Sequence, residues 1–294
     1  MERFRSIASK VLNPVQQLWT KTTLEQQEWI SSIRSRTRTT FTDEYPIPES
    51  IQKQLVEFLE IRSGKQLKTL HEKILVQRND WKVPDMRDEP LGWKLSRTEQ
   101  VTPRVYGPSE TLSYTAYQVN SSYSIIRRVL HDITELKPDF KPTSILDFGA
   151  GPGTGCWAAQ EVFGDSLKEY RVVEPSQSMR DVAITTLEKF PGVSIRKGLQ
   201  EMKHELKYKQ TYDVVLAANV FSELPTEMER AASLSALWTL VAKDGLLVLV
   251  DAGSPWGSFN MRSARKLILD SNRPENDMQA TVVAPCTHDL KVCR

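Results

Sequence analysis

The segment that most constrains the fold is LDFGAGPGTG, residues 146–155, which joins a short apolar run to a helical pattern. Gly149, Gly151 and Gly153 have no Cβ, so the backbone between them can turn tightly and a ligand can approach the main chain closely. Such a turn is typical of the carboxyl end of the first strand of a parallel sheet. The segment therefore predicts an α/β fold with a ligand site at that edge.

The rest of the chain after residue 103 alternates between strand and helix patterns. Strands are predicted at 144–148, 170–174, 193–196, 212–218 and 245–251, and helices at about 111–136, 154–163, 177–190 and 226–242. Because the strand runs are apolar on both faces and are separated by helices, they predict a parallel sheet that is covered on both sides.

An acidic residue at the end of the second strand indicates the kind of ligand. Glu174 follows Gly151 by 23 residues, where a carboxylate that binds a ribose belongs. A nicotinamide cofactor and S-adenosylmethionine both carry a ribose diol, so this spacing alone leaves both open.

The stretch LDFGAGPGTGCWAA resembles motif I of class I methyltransferases and differs from the dinucleotide spacing GxGxxG. The resemblance implies a Rossmann-like class I methyltransferase sheet that binds S-adenosylmethionine. Its expected cofactor-binding residues are Asp147, Gly149, Gly151, Gly153, Glu174 and Asn219. Asp213 and Glu223 either line the same pocket or serve as strand and helix caps.

Catalytic residues are not identified by the sequence. Methyltransferases that act on base amines usually carry an Asn/Asp-Pro-Pro-aromatic tetrad after the fourth strand, where this chain reads ANVFSELP. Cys156, in the first helix behind the glycines, is interpreted as a small core residue. Whether the chain is an enzyme therefore stays open.

The N-terminal third is predicted to be an extension of the α/β domain. Residues 1–24 carry Arg3, Arg5, Lys10 and Lys21 against Glu2 alone, which fits either a mitochondrial presequence or an amphipathic helix. Residues 25–102 are predicted to form a helical extension and an irregular connector. No stretch reaches the about 18 apolar residues of a membrane-spanning helix, so no membrane partner is expected.

Two groups of basic residues are candidates for contact with RNA phosphates. The net charge of +2 is too small to indicate nucleic-acid binding, so only the positions of the basic residues can indicate it. One group lies between Trp29 and Thr42, a stretch without an acidic residue, and the other lies near residue 265. The candidates are Arg34, Arg36, Arg38, Arg262, Arg265 and Lys266. Solvated surface charge is the alternative for each.

Residues 286–294 form a segment rich in metal-binding side chains. Cys286, His288 and Cys293 lie within eight positions, which suggests a metal or iron–sulfur site, although two thiolates do not complete a set of four ligands.

Several stretches together resemble the methyltransferase-like mitochondrial ribosomal small-subunit proteins and assembly factors. They are the PRVYGPSETLSYTAY segment with the PDFKP lead-in, VVEPSQSM, AANVFSELP and VVAPCTHD. The resemblance implies a protein of the mitochondrial matrix that binds small-subunit ribosomal RNA and ribosomal proteins. It also implies a cysteine-ligated iron–sulfur cluster held by Cys286 and Cys293, although their spacing is one residue longer than the family pattern.

The expected organisation is a methyltransferase-like domain at 103–285 followed by a truncated Cys/His segment. The last strand or strands of the sheet are expected to be missing, and a second chain is expected to complete the sheet and the cluster. The leading functional hypothesis is a ribosomal RNA-binding protein with little or no catalysis. The alternatives are an active ribosomal RNA methyltransferase and a small-molecule methyltransferase outside the ribosome.

Overall fold

The computed structural model describes residues 45–60, 69, 72, 92–202, 207, 210–271 and 280–284. In chain order the elements are α1 (Glu49–Glu60), α2 (Pro108–Tyr117), α3 (Val119–Leu136), β1 (Ser144–Phe148), α4 (Thr154–Phe163), β2 (Glu169–Val173), α5 (Gln177–Thr186), β3 (Val193–Arg196), β4 (Tyr212–Ala218), α6 (Glu227–Thr239), β5 (Val241–Val250) and α7 (Pro255–Asp270).

The five strands of this part of the chain form one sheet in the order β3-β2-β1-β4-β5. Every neighbouring pair is parallel, and Leu146 at the centre of β1 is in register with Arg171 of β2 and Val215 of β4. This is the Rossmann-like strand order, and it confirms the expected class I methyltransferase sheet. The chain reverses its direction of winding between β1 and β4, where such sheets bind ligands at the carboxyl ends of their strands.

The sheet separates two hydrophobic clusters, as the doubly apolar strands predict. Successive side chains of a strand point to opposite faces. Ile145 accordingly packs on one side with Leu130 of α3 and Trp157 of α4. Leu146 packs on the other side with Leu234 of α6. Both faces are therefore covered by helices of the described part of the chain, which leaves the ends of the strands as the places where a ligand can reach the sheet.

Helix α1 shows that part of the N-terminal extension packs on the sheet domain. Leu55 is fully buried in the same cluster as Ile145. Gln54 donates from Nε2 to the carbonyl of Thr185 at the end of α5, at 3.3 Å. The segment at 1–24, predicted to be a presequence or an amphipathic helix, lies outside the described residues. Among the described helices, none combines the length and the apolar character that crossing a membrane requires.

Two predicted boundaries are wrong. The single helix expected at 111–136 is two helices. They meet at Gln118, which has a φ of −117° and is both the C-cap of α2 and the N-cap of α3. Strand β5 begins at Val241 instead of residue 245. Asp244 is a residue type common in turns and has a φ of 62°, but it lies within the strand. The pairing of β5 with β4 shifts register at this irregularity.

Candidate functional site

The glycine turn after β1 has the backbone conformation that its sequence predicts. Gly149, Gly151 and Gly153 have φ angles of 72°, 55° and 99°, all in the left-handed region that favours glycine. The Gly149 N–H donates to the carbonyl of Val173 at the end of β2, at 2.8 Å. A Cβ on Gly149 would lie 2.4 Å from Val220, whereas a Cβ on Gly151 would meet nothing within 4 Å. The backbone at Gly151 therefore borders open space that a ligand can fill.

A fourth glycine, which the sequence analysis did not single out, brings α4 onto a buried carboxylate. A Cβ on Gly155 would lie 2.4 Å from Oδ2 of Asp147. Asp147 is 2% exposed and accepts a hydrogen bond from the Cys156 thiol, whose Sγ lies at 3.8 Å. Burial raises the pKa of Asp147 to about 7, and the charge of Glu174 adds to this rise, whereas the bonds from Cys156 and Gly155 oppose it. Asp147 can thus hold a proton near neutral pH.

Glu174 lies directly beside the glycine turn. Its Oε2 accepts the N–H of Gly151 at 2.9 Å, and its Oε1 accepts the N–H of Ser176 at 2.7 Å. Burial raises its pKa, while these two bonds and the charge of Arg180 oppose the rise. Because each carboxylate oxygen has two lone pairs, both oxygens can still accept a hydroxyl. The side chain is therefore held in place and remains able to bind a diol.

Asn219 marks the carboxyl end of β4 on the other side of β1. Its φ of 59° is in the left-handed region, which asparagine tolerates better than most residues. Its N–H donates to the carbonyl of Val250 at the end of β5, at 2.8 Å. This turn directs the segment 219–223 across the carboxyl edge of the sheet.

Glu223, at the end of that segment, is bound by two residues that precede α2. Its Oε1 accepts from Nη1 of Arg104 at 3.1 Å and from the Tyr106 hydroxyl at 2.9 Å. The carbonyl of Tyr106 in turn accepts the Ser176 hydroxyl at 2.6 Å. We call Arg104, Tyr106 and Glu223 the latch, because they connect the end of β4 to the loop after β2. Arg104 and Tyr106 were not among the predicted site residues, although their segment is one of the stretches that carry the family resemblance.

Four carboxyl groups converge at this edge of the sheet. They belong to Asp147, Glu174, Glu223 and Asp251, and burial is the largest cause of a raised pKa in each. Glu174 acts electrostatically on both Asp147 and Glu223, and Asp251 acts on Glu223. Burial raises the pKa of Tyr114 to about 12; a bond to Ser122 opposes this rise, and the charges of Glu223, Glu174 and Asp147 add to it. The edge thus favours a ligand that carries positive charge.

Comparison with known families identifies the relatives of this chain. The family model described as mitochondrial small ribosomal subunit Rsm22 matches residues 108–294, which include the whole sheet and the glycine turn. The chain belongs to the Rsm22 family.

Two curated mitochondrial proteins are similar to this chain. The human protein "Ribosome assembly protein METTL17, mitochondrial" is 32% identical over 195 residues, which are 63% of this chain and 41% of that protein. The Schizosaccharomyces pombe protein "Rsm22-cox11 tandem protein 2, mitochondrial" is 30% identical over 201 residues, 61% of this chain and 25% of that protein. The chain therefore matches less than half of the length of either relative.

Solved structures similar to this chain include an O-methyltransferase family protein from Burkholderia thailandensis. It is 15% identical, has a TM-score of 0.39, and is matched over 49% of this chain and 42% of that one. The fold assignment depends on the strand order and the parallel register described above.

Two other residues singled out in the sequence, Asp213 and Cys156, do not line the carboxyl edge of the sheet. Asp213 lies at the amino end of β4, where its Oδ2 accepts the N–H and the hydroxyl of Thr143 at 2.7 and 2.8 Å. It fixes the start of β1, so of the two interpretations that the sequence leaves open for Asp213, the structure supports the cap. Cys156 is fully buried, and burial raises the pKa of its thiol well above the usual range, as expected for a core residue.

The basic and metal-binding candidates are only partly within the described residues. On α7, Arg262 is exposed and Lys266 pairs with Asp270 one turn later. Arg265 is partly buried on the same helix. The RNA candidates Arg34, Arg36 and Arg38 and the metal candidates Cys286 and Cys293 lie outside the described residues, so both groups stay predictions.

Proposed function

We propose that this chain acts in the mitochondrial matrix as a component or assembly factor of the small ribosomal subunit. In this proposal it binds ribosomal RNA and ribosomal proteins through a methyltransferase-like domain that holds S-adenosylmethionine. Membership of the Rsm22 family supports the ribosomal part, because the match covers the sheet and the glycine turn. The printed name of the human relative, a mitochondrial ribosome assembly protein, points the same way.

The proposed binding of S-adenosylmethionine depends most on one observation, the hydrogen bond between Glu174 and the backbone of Gly151. Glu174 would accept hydrogen bonds from the ribose hydroxyls, and the open backbone at Gly151 would admit the nucleoside. Asp147 and Asn219 would border the methionine part, whose sulfonium and ammonium groups suit the converging carboxylates. When bound, S-adenosylmethionine would supply an activated methyl group at this edge.

The segment after β4, where a methyl acceptor would enter, supports a role in binding and not in catalysis. The segment ANVFSELP offers no Asn/Asp-Pro-Pro-aromatic tetrad, and its Glu223 is already engaged by Arg104 and Tyr106. A nucleobase entering beside Asn219 would have to displace this latch. An active ribosomal RNA methyltransferase is therefore the second candidate, and it requires the latch to open.

The RNA part of the proposal assigns phosphate contacts to Arg262, Arg265 and Lys266, and to the three N-terminal arginines at 34, 36 and 38. The iron–sulfur cluster at Cys286 and Cys293, and the second chain that would complete it, stay predictions on residues outside the described structure. The rest of the proposed function does not depend on them.

Two measurements on the full chain test this proposal. In a density gradient of mitochondrial lysate, we expect the protein to sediment with the small subunit in low salt and to be released by ribonuclease. In the second measurement, purified protein is incubated with radiolabelled S-adenosylmethionine and deproteinised small-subunit RNA. We expect the wild-type protein to transfer no more label to the RNA than a Glu174→Gln variant does. Sedimentation at the top of the gradient would contradict the ribosomal role, and labelled RNA that depends on Glu174 would favour the enzymatic alternative.

A further inference from the structure

A strained leucine is exposed on the segment that leads into α2. Leu95 has a φ of 59°, and its side chain is 47% exposed. The other non-glycine residues with positive φ in the described part of the chain are Asn219 and Asp244, whose short polar side chains tolerate this conformation. A leucine there is unusual, and such strain persists only where the surrounding structure enforces it. We call residues 94–97 the knuckle.

Contacts on both sides hold the knuckle in place. Before it, the N–H of Gly92 donates to Ser263 Oγ of α7 at 3.1 Å, and Nε1 of Trp93 donates to Asn260 Oδ1 at 3.1 Å. Within it, Ser96 donates its N–H to Oε2 of Glu227 at 3.2 Å and accepts the N–H of Met228 at 3.1 Å. The segment is thus fixed to α7 at one end and to the start of α6 at the other, which explains how the strain is maintained.

The strain does not bury the leucine side chain. Trp93, two positions earlier, stacks on Phe221 and joins the hydrophobic cluster next to α6. Leu95 instead projects outward between two exposed cationic residues, Lys94 and Arg97. An apolar side chain that is fixed outward at a cost in backbone energy is typical of a residue that contacts a partner.

The knuckle and the basic residues of α7 belong to one surface. A Cβ on Gly92 would lie 3.3 Å from Cδ of Lys266, so the segment entering the knuckle runs directly beside that lysine. Arg262 precedes Lys266 by four positions, so both lie on the same side of α7. The Lys266–Asp270 ion pair has no net charge and Glu227 accepts from Ser96 within the protein, so the positive charge of this surface comes from Lys94, Arg97 and Arg262. The surface therefore presents positive charge around an apolar tip.

We propose that the knuckle and the basic side of α7 form a single RNA-binding surface. Lys94, Arg97 and Arg262 contact backbone phosphates, and Leu95 packs against an unstacked base. Positive charge suits the phosphates, and an apolar tip suits the splayed bases of single-stranded RNA regions. This inference rests on the proposed function, and it adds residues 94–97, which precede the match to the family model.

The test is filter binding of the full chain to transcribed small-subunit ribosomal RNA over a range of salt concentrations. Leu95→Gly removes the side chain and relieves the strain, so it should melt at the same or a higher temperature and yet bind RNA about fivefold more weakly. Lys94→Glu with Arg97→Glu should weaken binding by more than about tenfold and lower the salt slope by about two. Lys189→Glu with Lys197→Glu, near the β3 edge of the sheet, makes the same change in charge and should have little effect.

The outcomes separate this inference from the proposed function. If the wild-type chain binds the RNA and both knuckle variants bind equally well, the inference is overturned and the proposed function stands. If the wild-type chain does not bind the RNA, both are overturned. If the knuckle variants keep their RNA affinity but no longer sediment with the small subunit, the surface contacts a protein and the inference is again wrong.

Discussion

The carboxylate of Glu174 accepts the backbone N–H of Gly151 at 2.9 Å, although the two residues follow different strands. This bond joins the turn after β1 to the end of β2, and the Ser176 N–H holds the second oxygen of the same carboxylate. The acid and the turn therefore form one preorganised unit before any ligand binds, which reduces the entropy that binding must overcome.

Two glycine substitutions should separate folding from ligand binding. Gly149→Ala places a Cβ 2.4 Å from Val220, so it should lower the free energy of unfolding by roughly 2–4 kcal/mol. Gly151→Ala meets no neighbour and should cost only about 1–2 kcal/mol of backbone strain. Its methyl group enters the open space, however, so affinity for S-adenosylmethionine should fall at least about tenfold. Chemical denaturation and calorimetry measure the two effects. Wild-type affinity in Gly151→Ala would contradict this description of the pocket.

Protonation of Asp147 should couple ligand binding to pH. Its pKa of about 7 in the folded protein lies above the value of about 4 in an unfolded chain, so the native state holds the extra proton between these pH values. Stability of the ligand-free protein should therefore fall as pH rises through this window, because the native state binds more protons than the unfolded state. A cationic ligand favours the charged carboxylate, so affinity should rise from pH 6 to pH 8.

Calorimetry in buffers of different ionisation enthalpy checks this coupling by counting the protons released on binding. The groups that face Asp147 include the Cys156 thiol, the N–H groups at 155 and 156, and the charge of Glu174. Asp147→Asn should remove most of the proton release. An affinity that is independent of pH in the wild-type chain would show that Asp147 is ionised throughout.

Opening the latch should speed exchange of the bound ligand. Arg104→Gln combined with Tyr106→Phe removes both side-chain donors to Glu223 and leaves the backbone bond to Ser176 in place. We expect dissociation of S-adenosylmethionine to accelerate by about tenfold, and amides near residue 106 to exchange hydrogen faster. Lys53→Gln, which breaks an exposed pair on α1, is the control and should change neither rate. Unchanged dissociation in the double variant would show that the latch does not cover the pocket.

Local patterns predicted the centre of this fold, and long-range contacts account for what they missed. Strand β1, the glycine turn and Glu174 follow from the order of apolar, glycine and acidic residues within about 30 positions. Tyr106 and Glu223, by contrast, are 117 positions apart and no spacing rule relates them. The break at Gln118 has neither glycine nor proline to mark it. Asp213 could not be assigned from the sequence, because a carboxylate at the start of a strand fits either a pocket residue or a cap, and its bonds to Thr143 are what decide between them.

The most direct test of the account is calorimetry of S-adenosylmethionine binding to three proteins. The wild-type chain should bind one equivalent, and Glu174→Gln should bind at least about tenfold more weakly, because a charged acceptor of the ribose hydroxyls is lost. Asp213→Asn, at the opposite edge of the sheet, should be less stable and yet bind with wild-type affinity. Failure of the wild-type chain to bind, or equal affinity in Glu174→Gln, would contradict the claim that this edge of the sheet holds the donor.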